Sequence, residues 1–181
     1  MKKLLFIFFC VPIISFGQSF PEYTVDKIIT KYDKTVFDNK SYKVNTTPKN
    51  DEVGDIITIF NKESNSIFIV GEEEWAFYFY DLIDNYLIID QTTGAVGGLI
   101  IYDLNIQKII FEHSYMGDLV ILNKKIYFKY EVEIESESEK PECPQIIIDI
   151  GSGICYLEEL VYDLDENKYF PTGQYECSYC E

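Results

Sequence analysis

The chain has 181 residues and carries 31 acidic against 15 basic side chains, a formal net charge of −16. That length suits one domain with a buried core, and that charge repels nucleic acid and anionic membrane surfaces. All positive charge is lysine; without arginine, the usual bidentate partner of phosphate and carboxylate, a phosphate-handling enzyme or nucleotide site is disfavoured.

Residues 1–17 read as a cleaved secretory signal peptide. Lys2 and Lys3 are followed by a nearly unbroken apolar run from Leu4 to Ile14, and Ser15 and Gly17 supply the small residues of a cleavage site before Gln18. The run is shorter than the roughly 20 residues a spanning helix needs, and Pro12 interrupts it. Cys10 does not suit lipid attachment, because Phe8 and Phe9 stand where small residues are needed. No second long apolar run follows, so no membrane span is expected after cleavage. The expected location is the periplasm or the exterior, where cysteines become bridges rather than thiols.

Residues 18–50 form an N-terminal segment of different character. Val25, Ile28, Ile29, Tyr32 and Val36 recur at helical spacing and predict a short amphipathic helix. Thr46-Thr47-Pro48-Lys49-Asn50 reads as a polar loop.

Residues 51–181 read as an all-β domain. Strands are predicted over 55–60, 66–70, 75–80, 86–90, 98–104, 108–113, 119–122, 125–134, 146–150, 155–164 and 174–177, in runs rich in β-branched and aromatic residues. In the third run Trp75, Phe77 and Phe79 share one face, and Tyr78 and Tyr80 the other.

An ungapped internal repeat lies inside this domain. Leu99-Ile100-Ile101-Tyr102-Asp103-Leu104-Asn105 matches Glu159-Leu160-Val161-Tyr162-Asp163-Leu164-Asp165, and Lys108 matches Lys168. Each copy predicts a hairpin whose aspartate caps backbone N–H groups in a polar turn. Ile57 to Ile69 reads as a weaker third copy. Such hairpins are similar to β-propeller blades, but a four-bladed propeller needs roughly 160 or more residues at even spacing. The fold expected is therefore an antiparallel sandwich or open barrel of blade-like β-hairpins.

Asp90-Gln91-Thr92-Thr93, the Gly98 to Leu104 strand, Pro141-Glu142-Cys143-Pro144 and Thr172-Gly173-Gln174-Tyr175-Glu176-Cys177-Ser178-Tyr179 together resemble a family of small secreted bacterial proteins of unknown function. The resemblance spans residues 75 to 181 and implies export, one domain and no assigned activity. Four cysteines after the signal allow three connectivities. The resemblance implies Cys143–Cys177, with Cys155–Cys180 as the pair left beside it. Cys177-Ser178-Tyr179-Cys180 also has C-x-x-C spacing, but no helix follows to stabilise a thiolate. Zinc would want a second such motif, and neither a metal nor a cofactor is expected.

Five glutamates alternate from Glu131 to Glu139. In an extended chain they share one face, which must be solvated or meet positive charge. Glu131, Glu133, Glu135 and Glu137 are the candidate partner-binding residues. A straight row does not converge on calcium. His113, the only histidine, stands beside Ser114 but without the G-x-S-x-G elbow of a hydrolase. The glycine-rich stretch Thr93 to Gly98 lacks a P-loop lysine and leads into a strand.

These features point to an exported, non-enzymatic interaction module for a basic protein, such as a lysozyme-like enzyme. Two alternatives stand beside it. One is an enzyme: a thiol oxidoreductase using Cys177 and Cys180, or a carboxylate-based hydrolase with Trp75, Phe77, Tyr78 and Tyr80 as sugar-stacking faces. The other is a structural envelope component. Oligomeric state is not written in the sequence.

Overall fold

A computed structural model describes residues 33–50, 52–71, 75–92, 94–134, 140–150 and 153–180. The expected signal segment and Val25, Ile28, Ile29 and Tyr32 of the expected N-terminal helix lie outside them. The chain forms two antiparallel sheets, and in both every strand pairs with its sequence neighbour. Sheet A contains β1 (Lys34–Asp38), β2 (Tyr42–Pro48), β3 (Asp55–Asn61) and β4 (Ser66–Val70). Sheet B contains β5 (Phe77–Ile83), β6 (Tyr86–Thr92), β7 (Val96–Asp103), β8 (Lys108–Leu122), β9 (Lys125–Val132), β10 (Ile154–Asp163) and β11 (Lys168–Tyr179). The all-β expectation is met, and the described strands close no barrel.

Strands β6 and β7 form the middle of the molecule. Leu87, Ile88 and Ile89 are all fully buried, so both faces of β6 are covered, as its continuous apolar sequence requires. One face carries Leu87, Ile89 and Ile100, which pack against Val44, Ile57 and Ile59 of sheet A. The other carries Ile88, Leu99 and Ile101, which pack with Ile126, Phe128, Leu160 and Tyr162 of sheet B itself.

A flat sheet cannot bury its own face, so sheet B is curled. Two contacts measure the curl. The Tyr80 hydroxyl on β5 donates to the Leu119 carbonyl on β8, although three strand spacings of a flat sheet would hold them roughly 14 Å apart. The Phe111 and Tyr162 rings, on β8 and β10, are 4.4 Å apart between centroids. The bend coincides with a break in β8–β9 pairing between Met116 and Val120. Gly117 there has φ +75°, the left-handed backbone that a bulge uses and glycine tolerates. The sequence expectation split β8 into two strands at this point.

The repeat is a repeated turn. Asp103 Oδ1 accepts the Asn105 N–H at 2.8 Å, and Asp163 Oδ1 accepts the N–H groups of Asp165 (3.0 Å) and Glu166 (3.2 Å). Asn61 Oδ1 does the same for Glu63 (2.9 Å) and Ser64 (3.0 Å). Each loop ends on a left-handed residue four positions on: Asn65 (φ 54°), Gln107 (54°) and Asn167 (52°). The strands then resume with Asn61 opposite Ser66, Asp103 opposite Lys108, and Asp163 opposite Lys168. The third copy is thus a full structural equivalent.

Four local expectations are corrected. Val36 lies in β1 rather than a helix. Thr46-Thr47-Pro48 belong to β2, where Tyr42, Val44 and Thr46 alternate inward; β2 pairs with β3 from Pro48–Asp55 to Tyr42–Asn61. Trp75 precedes β5 instead of opening it. Ile146 to Ile150 is not a strand but part of helix α1 (Gln145–Ile150). Pro144 starts this helix: its carbonyl accepts the N–H groups of Ile147 (2.9 Å) and Ile148 (3.3 Å). Gln145 Nε2 donates to Asp149 Oδ1 one turn later, at 2.8 Å.

Candidate functional site

The C-terminal end of sheet B is stapled twice. Cys143 pairs with Cys177 (Cα–Cα 5.1 Å) and Cys155 with Cys180 (5.7 Å). Two such pairs are typical of exported proteins, and among the described residues no helix is long and apolar enough to cross a membrane. Cys177 and Cys180 belong to different bridges, so they do not form one dithiol.

Beside the second bridge the end of β9 opens into a groove of about 360 Å³, bordered by Glu131, Glu133, Lys140, Ile154, Cys155 and Tyr156. Glu131 opposes Leu157 on β10, and Glu133 follows the strand end; both are exposed. Neither carboxylate is held in an ion pair among the described residues, whereas Asp38, Asp84, Asp163, Asp165 and Glu176 are. The Lys140 ammonium sits 5.7 Å from the centre of the Tyr156 ring. A Glu131 oxygen and the Cys155 and Cys180 sulfurs lie within 4.8 Å of one another, but bridged sulfurs are not the thiolates a metal needs. Glu135 and Glu137 lie outside the described residues.

A second groove, of about 270 Å³, lies where β5 to β8 run side by side. Register makes it. Phe77, Gln91, Gly98 and Ser114 form one row across four strands, with Gln91 opposite Gly98 and Gly98 opposite Ser114. Glu112 is the next residue on that face of β8, opposite Ile100. Trp75 stands just before β5 with 59% of its surface exposed, and its carbonyl accepts a bond from Lys49 Nζ at 2.8 Å. Of the proposed sugar-stacking residues, Phe77 is in the core and Trp75 borders this groove. Gln91, Glu112, Ser114 and the glycine floor were missed by the sequence reading.

His113 also borders this groove, but its ring is engaged elsewhere. Its ring packs among Phe111, Phe128, Tyr130 and Tyr169 at centroid distances of 5.2 to 6.0 Å. Its Nδ1 is 2.6 Å from the Ser114 carbonyl oxygen, not from the Ser114 hydroxyl, so the two residues do not form a nucleophile–base pair. Glu158 is likewise engaged, accepting from Tyr175 (2.9 Å) and Tyr130 (3.2 Å). Burial raises the Asp55 carboxyl, against the attraction of Lys34, but Asp55 borders neither groove. Compared with protein-family models, with curated proteins and with solved structures, the chain matches none.

Proposed function

We propose that this chain is an exported, non-enzymatic interaction module whose acidic strand end binds a basic protein. The observation that carries the reading is the pair Glu131 and Glu133, both exposed on the wall of an open groove and in no ion pair among the described residues. Exposed carboxylates in a chain of net charge −16 speed encounter with a positive partner and lose that advantage as salt screens them. The two staples support a binding role by holding the groove wall in one geometry before a partner arrives, which lowers the ordering cost of association.

The test uses the mature, disulfide-bonded chain against small basic proteins, hen lysozyme and cytochrome c, over a series of salt concentrations. Replacing Glu131, Glu133, Glu135 and Glu137 together by glutamine should weaken binding and flatten its salt dependence. Binding unchanged by the four substitutions, or absent at low salt for every basic protein, would sink the proposal.

A further inference from the structure

The groove on β5 to β8 has the composition of a saccharide site. Trp75 is the only tryptophan in the chain, and its indole is left in water although burial would stabilise it. The floor carries no side chain at its centre: a Cβ on Gly98 would come within 3.1 Å of Gln91 Oε1, so the row Gln91–Gly98–Ser114 is a trough with polar walls. The Gln91 amide, the Glu112 carboxylate and the Ser114 hydroxyl have no intramolecular hydrogen bond or ion pair among the described residues, and all three open into the groove. Asp90, Glu158 and Asp103 are by contrast engaged, by Tyr115, by two tyrosines and by a turn.

We infer that this groove binds a neutral glycan, stacking a pyranose ring on Trp75 and hydrogen-bonding its hydroxyls through Gln91, Glu112 and Ser114. The chemistry selects that class. An amide and a hydroxyl two strands apart across the glycine floor, with a carboxylate two residues along the hydroxyl's strand, offer the mixed donors and acceptors that a sugar's hydroxyls need. An exposed indole offers a flat apolar face to the ring's C–H groups. Among the described residues the lining holds the Glu112 carboxylate and no lysine, and the nearby Lys49 ammonium is turned to the Trp75 carbonyl, so phosphate, sulfate and uronate would meet negative charge there. The site shares no residue with the acidic strand end, so each reading can fail without the other.

Because Trp75 is the sole tryptophan, its fluorescence, excited at the red edge of the indole band, reports on this groove alone. The mature disulfide-bonded chain is titrated with cellotetraose, maltotetraose, xylotetraose and chitotetraose, and pull-down on cellulose, chitin and peptidoglycan is run in parallel. At least one neutral oligosaccharide should shift the emission saturably. Trp75→Ala should lower retention on the matching polymer by about tenfold or more, and Glu112→Ala should weaken the titration several-fold. The four-glutamate variant of the acidic strand end, and Tyr169→Ala on the opposite face, should bind as the parent does. Both Trp75 and Glu112 are exposed, so a thermal melt will show these variants folded. No emission change with any oligosaccharide together with no polymer retention, retention that survives both substitutions, or displacement of the emission only by peptides would overturn the inference.

Discussion

Gly97→Ala tests the packing of β7 against β8. Gly97 stands directly opposite Tyr115, whose ring lies over it: a Cβ on Gly97 would meet the Tyr115 ring carbons at 2.5 Å and its hydroxyl at 2.9 Å. Carbon atoms do not approach that closely, so the ring must move. It has little room, being 7% exposed and packed with Leu99, Leu119 and Phe128. Its hydroxyl is also fixed, donating to Asp90 Oδ1 at 2.8 Å. One added methyl group should therefore cost an overpacking strain plus part of that hydrogen bond, about 2–4 kcal/mol together. For a chain of this size that lowers Tm by roughly 4–16 °C, read by circular dichroism at fixed pH with disulfides intact. The double variant Gly97→Ala/Tyr115→Ala should cost less than the sum of its singles, since removing the ring makes room for the methyl. An unchanged melt for Gly97→Ala, or strict additivity in the double, would refute the reasoning.

Three further outcomes are expected. Burial pushes the Tyr162 phenol up to about 12, and burial with the Asp90 bond raises Tyr115 as well. Their contribution to stability is whole below the unfolded tyrosine pKa of about 10 and is lost as pH rises through the folded values, so Tm should fall steeply above pH 10, with tyrosinate absorbance rising on unfolding. The Glu166 N–H, and then Lys125, hold the Asp163 carboxyl below the usual carboxylate range, so its contribution is present above about pH 4 and lost on acidification. Asp163→Asn should keep the turn, as Asn61 does natively, but show a shallower acid limb in a Tm–pH profile. Removing the Cys143–Cys177 bridge as a double alanine variant should cost about 3.5–4 kcal/mol on chain entropy for its separation of 34 residues, measured by urea unfolding.

The hairpins were legible because their information is local. An aspartate at the end of an apolar strand, a polar loop and a returning strand sit within a dozen residues, as at Asp103 and Asp163. The third turn was harder to see because Asn61 supplies the same Oδ1 acceptor through a different residue type. The Ile146 to Ile150 run misled because a short β-branched stretch has no periodicity of its own; Pro144 and the absence of a paired neighbour decided for the helix. The polar look of Thr46 to Pro48 hid β2, whose inward positions are filled by Tyr42, Val44 and Thr46. The second groove was beyond sequence reading altogether. Gln91, Gly98 and Ser114 become neighbours only through the registers of β6, β7 and β8, which no spacing along the chain announces.

Topology also explains what becomes of the C-x-x-C spacing. Cys177 lies in β11, opposite Tyr156 of β10, and Cys180 continues the ladder past the strand end, its N–H donating to the Gly153 carbonyl at 2.9 Å. Residues three apart in an extended strand are about 10 Å apart, beyond the 4.4–6.8 Å between Cα atoms that a disulfide spans. While β11 stays paired, the two cysteines cannot bond each other, and each meets a different partner. A redox cycle between them would require the end of β11 to leave β10 and both staples to open first. The same spacing that suggests a dithiol in isolation therefore specifies two structural bridges once the strand pairs, and it fixes the wall against which Glu131 stands.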